Sequence, residues 1–202
     1  PGGGAREARQ LRHVRNITTI SLVVRRQLEP ELVHAIIPPA QLVELEAMYE
    51  PSANQAAQAS RGVEQNILMF GFYIYNNVGI AFRTFASGLL FGLGSIFFLV
   101  YNGVFIGASA GHLTQIGYTE PFWSFVIGHG AFELTAIVLA GMTGLKIGFA
   151  LLAPGQRTRA RALVEEGRDS AGLVGGFATM LVIGAFLEAF WSPLPIDAAS
   201  KY

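Results

Sequence analysis

Apolar residues run almost unbroken through long stretches of the chain, and the charged positions gather between them. The stretch Gly128–Leu152 is apolar and long enough to cross a bilayer, which takes roughly 20 largely apolar residues. Within it Ala136, Ala140, Gly144 and Gly148 recur every fourth residue, a smooth stripe for another helix. Upstream, residues 66–116 form a second apolar region with internal punctuation. Ile80–Tyr101 is long enough to span, with Arg83 placed to snorkel and Gly88 and Gly92 forming a GxxxG pair. Asn102-Gly103 reads as a turn. Gly103, Gly107 and Gly111 then repeat at four-residue spacing up to His112, so Val104–Ile116 reads as a short packed helix or a re-entrant hairpin. Asn66–Gly79 reads as an interfacial elbow or the start of the span. Asn76, Asn77 and Asn102 read as helix-end or turn residues. A last span, Ala171–Trp191, places Gly172, Gly176, Gly184 and Glu188 on one face, with Trp191 and Pro193 at its interfacial end.

The remaining segments are polar. Residues 1–28 are basic, with Arg6, Arg9, Arg12, Arg15, Arg25 and Arg26, and their eight-residue apolar piece Ile17–Val24 is too short to span. Two readings stay open there, an amphipathic surface helix and a poorly ordered tail. Residues 29–65 are acidic. After Pro38-Pro39 a short helix is expected over Gln41–Glu50, with Leu42, Leu45 and Tyr49 on its apolar face, as a cap lying on the bundle. The division is therefore residues 1–65 as an extramembrane or interfacial segment, 66–193 as the membrane domain and 194–202 as a tail. Gln156–Ser170 carries Arg157, Arg159, Arg161 and Arg168, which the positive-inside rule places in the cytoplasm. Counting crossings from that loop puts the acidic segment outside, yet no adequate span separates it from the basic residues 1–28. Either a span is missing or disrupted, which is the preferred reading, or the basic segment is external.

Composition agrees with this pattern. Of 202 residues, 51% are hydrophobic and only 14% charged, which marks an all-α, polytopic transmembrane helix bundle. The net charge is zero, so nothing suggests nucleic acid, and the lack of cysteine removes disulfide and thiol chemistry.

Ionisable residues inside the spans carry the candidate chemistry, because a carboxylate in hydrocarbon costs about 2.5 kcal/mol or more on insertion scales. His129 and Glu133 are four apart and share a helical face. Glu188 lies near the end of the last span, at a similar depth by the crossing count. The three are expected to cluster, with the carboxylates within about 3–6 Å of each other. The three residues read as a hydrogen-bonded polar clamp, as a metal or proton site, or as groups with separate water-facing roles; two close carboxylates without a cation are expected to share a proton. The sequence requires no cofactor. It has no His-Glu-x-x-His motif, no Gly-x-Ser-x-Gly elbow and no phosphate loop, so no enzyme is expected.

Gly128-His129-Gly130-Ala131-Phe132-Glu133-Leu134, followed by Ala140-Gly141-Met142-Thr143-Gly144-Leu145, resembles the stage II sporulation protein M family. Glu188-Ala189-Phe190-Trp191-Ser192-Pro193 is similar to its closing motif, and Asn102-Gly103 with Gly107 to its middle motif. The resemblance covers roughly residues 62–193. It implies a bacterial or archaeal integral membrane protein of about five helices, of the longer type found in non-sporulating bacteria. In spore formers the family member is a membrane scaffold for septal cell-wall hydrolases. The expectation is a scaffold in the cytoplasmic membrane, contacting lipid and membrane or cell-wall-associated proteins, with a homodimer allowed by its GxxxG faces. The alternative is a transporter or channel that uses the intramembrane His and Glu.

Overall fold

The computed structural model describes residues 32–52, 62–194 and 196. The basic segment 1–28, most of the expected Ser52–Ser60 loop and most of the tail 194–202 lie outside the described residues. Among the described residues there are helices and no strands: α1 (Leu32–Ile36), α2 (Pro39–Tyr49), α3 (Val63–Ala86), α4 (Leu93–Gln115), α5 (Thr119–Leu152) and α6 (Arg159–Phe186). A single 3-10 turn, Ser87–Leu89, follows α3, and a π-turn, Leu187–Trp191, continues α6. Among the described residues three helical runs are long and apolar enough to cross a membrane: Leu93–Gln115, Thr119–Leu152 and Arg159–Trp191. The expected all-α bundle is therefore what the chain forms.

The chain divides into two compact units. One contains α1 and α2 together with residues 100–122. Its core is Val33, Ile37, Leu42 and Ala108, with Ile36, Leu45 and Phe105 against it. Leu42 and Tyr49 of α2 are buried, as the spacing of the apolar face requires. Tyr49 meets Phe122 edge to face at 5.2 Å. His112 lies 2.6 Å from Glu46 through its Nε2. Asn102 and Gly103 do not form a turn; both lie inside α4, as do Gly107 and Gly111. Asn-Gly is a turn signal in water, but in lipid a broken backbone leaves polar groups without partners, and the helix runs on.

The other unit holds residues 62–99 and 123–196. The chain reverses at 87–92, inside the run expected to span as Ile80–Tyr101. Phe91 and Gly92 take positive φ, 54° and 84°, which turns the chain between α3 and α4. The turn keeps its backbone bonded, through Leu90 N–H to Ser87 O at 3.0 Å and Gly92 N–H to Gly88 O at 2.7 Å. Asn66–Gly79 is accordingly the body of α3, not an elbow. That helix is inverted relative to a soluble one. Asn77, Ala81 and Thr84 are buried, while Leu68, Phe72, Tyr75 and Phe82 are exposed. An apolar outer face with a polar inner one suits lipid surroundings.

The Ala136–Gly148 stripe of α5 faces inward. Ala136 and Ala140 are fully buried with Ala81, Phe177 and Leu181, where α3, α5 and α6 meet. Further along, a Cβ on Gly88 would collide with the Gly144 backbone, and one on Gly148 with the Gly88 and Gly92 backbone. Asn77 opposes Glu133, and about three turns on Gly88 opposes Gly144, so α3 and α5 run parallel. Ser95 and Leu99 of α4 meet Gly144 and Gly141 in the reverse order, so α4 runs antiparallel to α5. Ser95 Oγ donates to Thr84 O at 2.6 Å and pins the start of α4 to the end of α3. Lys146 pairs with Glu166 of α6 at 3.2 Å. At α6 itself Thr158 caps the N-terminus, accepting from Arg161 N–H at 3.2 Å. Gly172 and Gly176, placed with Gly184 on one face by their spacing, have open space around them; Gly184 alone is packed.

Candidate intramembrane polar site

The structure brings His129, Glu133 and Glu188 together. One ligand-capable atom from each lies within 4.8 Å of those of the other two. His129 and Glu133 stand one turn apart on α5, and Glu188 comes from the π-turn that ends α6. His129 is 4% exposed, and the Glu188 side chain 13%. His129 Nδ1 is 3.0 Å from Ser192 Oγ, and its Nε2 is 4.0 Å from Glu188 Oε1. Asn77 of α3 donates from Nδ2 to Glu133 Oε1 at 2.6 Å and accepts from Asn76 Nδ2 at 3.1 Å.

Local backbone explains why these groups meet. The Ser192 N–H reaches back to Leu187 O at 2.8 Å, closing the wider π-turn. Such a turn inserts one residue into the helical register, and π-turns recur at functional sites. Here it brings Glu188 and Ser192 to bear on the same imidazole. Glycines make the room. A Cβ on Gly184 would sit 2.8 Å from Glu133 Cγ, and one on Gly128 would sit 3.2 Å from Trp191 Cδ1. The ring of Phe125 meets the His129 ring edge to face at 5.3 Å, closing a further side of the cluster.

Asn77 and Ser192 are members of the site that the sequence reading missed. The sequence reads Asn77 as a helix-end or turn residue, but it lies well inside α3, where a polar side chain needs a partner from a neighbouring helix. Of the other residues singled out, Gly88, Gly92, Gly144 and Gly148 form the close helix contact far from this cluster. Gly103, Gly107 and Gly111 belong to the other unit.

Fold and site together define a polytopic helical membrane protein with a buried His–Glu cluster. The stage II sporulation protein M family model matches residues 19–193, and the chain belongs to that family. An uncharacterized protein of Methanocaldococcus jannaschii is 27% identical over 128 residues, covering 61% of this chain and 71% of its own. No solved structure matches the chain.

Proposed function

We propose that this protein is a non-enzymatic scaffold of the cytoplasmic membrane that holds membrane or cell-wall-associated partner proteins. The observation that carries the reading is the glycine seam. Backbone meets backbone where Gly88 and Gly92 pack on Gly144 and Gly148, and Ala81, Ala136 and Ala140 are fully buried beside it. Helices in such contact have no side-chain layer to rearrange, which suits a fixed platform better than an alternating-access machine. The arginines at 157, 159, 161 and 168 favour a cytoplasmic position for the α5–α6 connection. α3 and α5 then both enter from the outer side. On α2, Val43, Glu44 and Ala47 are exposed and offer contact area to a partner. The test is cross-linking and co-purification of the full chain at native expression. Recovery of cell-wall or membrane proteins that is lost in Val43→Asp with Ala47→Asp supports the reading; recovery of none overturns it.

A second reading, a transporter for ions or small solutes, is favoured by one observation: the buried His129–Glu133–Glu188 cluster within membrane-crossing helices. Flux in liposomes that depends on Glu133 would select it.

A further inference from the structure

We propose that His129, Glu133 and Glu188 bind one divalent transition-metal cation of the zinc class, tying α5 to the π-turn at the end of α6. Around a tetrahedral ion with bonds of about 2.0–2.2 Å, ligand atoms stand about 3.3–3.6 Å apart. The observed set, all within 4.8 Å, closes onto such an ion by side-chain movements of about 1 Å or a little more. The His129 Nε2 to Glu188 Oε1 spacing of 4.0 Å is too long for a hydrogen bond and suits two ligands of one ion.

The surroundings of the cluster have the form of an outer coordination shell. A ligating histidine normally engages a neighbour through its other nitrogen, which fixes its tautomer and ring direction. His129 does so through Nδ1 and Ser192, and Nε2 is left facing the carboxylate. Asn77 holds Glu133 by Oε1, which orients its carboxylate beside that of Glu188. The Gly184 backbone yields the space into which the Glu133 side chain leans.

Charge and ligand type select the ion. When both carboxylates are ionised, as ligation requires, they and a neutral imidazole carry two negative charges, which one divalent cation cancels in a low-dielectric site. Among the described residues no lysine or arginine pairs with Glu133, and Lys146 is engaged with Glu166. One nitrogen and two oxygen donors suit zinc, manganese or ferrous iron, whereas magnesium and calcium take oxygen alone.

Zinc serves as the probe. The full chain is purified in detergent, stripped with EDTA, loaded with zinc, desalted and assayed for metal by mass spectrometry. About one zinc per chain is expected for wild type and for His112→Ala, and loss of it for His129→Ala, Glu133→Gln and Glu188→Gln. Asn77→Ala should keep the site but weaken it by roughly 10–100-fold, as outer-shell changes do. The visible spectrum of the cobalt-loaded wild type supplies a readout that needs no variant, expected to show the bands of a nitrogen–oxygen site. A wild-type chain that retains no zinc, as when the carboxylates share a proton instead, overturns the proposal. So does zinc retained equally by all three ligand variants.

Discussion

Adding one methyl group at Gly144 tests the helix seam. In Gly144→Ala the new Cβ collides with Ser95 Oγ and sits 2.6 Å from Phe85 O and 3.1 Å from Thr84 O. Two of these obstacles are backbone and cannot rotate away. Ser95 would have to give up its 2.6 Å bond to Thr84 O. Overpacking of this kind costs about 1–3 kcal/mol. The lost bond adds about 0.6 kcal/mol, the average for side-chain bonds within membrane bundles. Alanine returns about 1 kcal/mol through its better helix propensity. The net loss is about 0.6–2.6 kcal/mol, roughly 1–10 °C in Tm for a chain of this length. Gly176→Ala is the control, because open space surrounds Gly176 and only the propensity gain remains. Thermal unfolding of the two variants in one detergent should move in opposite directions. A Gly144→Ala chain that melts with or above wild type would refute the close-packed seam.

Glu46→Gln should loosen α1 and α2 by weakening the contact to His112, by up to about 1 kcal/mol since Glu46 is partly exposed. Limited proteolysis between residues 32 and 52 should then speed up by no more than about fivefold. Lys146→Met and Glu166→Gln should couple by about 0.2–1 kcal/mol in a double-mutant cycle of thermal stability, given the half-exposed lysine. Strict additivity would show the pair to be incidental. A cysteine at Gln156, which is exposed and spares the Thr158 cap, should resist impermeant thiol reagents in intact cells. Labelling there would reverse the proposed topology.

Much of the bundle was legible because lipid enforces simple rules. The stripe Ala136–Gly148 had to be a contact face. The reversal at 87–92 was hidden because apolar residues continue through it. What makes the turn is the positive φ of Phe91 and Gly92, and a phenylalanine carries no signal for that conformation. Asn102-Gly103 misled for the converse reason, since a dipeptide that bends a solvated chain sits quietly inside a packed helix. At the site, the four-residue spacing of His129 and Glu133 is a property of one helix and can be read directly. Convergence with Glu188 followed from equal depth. The π-turn could not be read, because an i to i+5 bond leaves no residue pattern, and with it went the role of Ser192. Asn77 could have been found by asking what partner an amide well inside a long helix would need.

The measurement that tests the scaffold reading most directly is flux through the full chain reconstituted in liposomes. Vesicles loaded with zinc-sensitive and pH-sensitive dyes are challenged with a zinc or proton gradient, for wild type and Glu133→Gln side by side. A fixed platform predicts that both leak no faster than protein-free vesicles. Wild-type flux abolished by Glu133→Gln would contradict the scaffold and make the buried cluster the centre of a transport path.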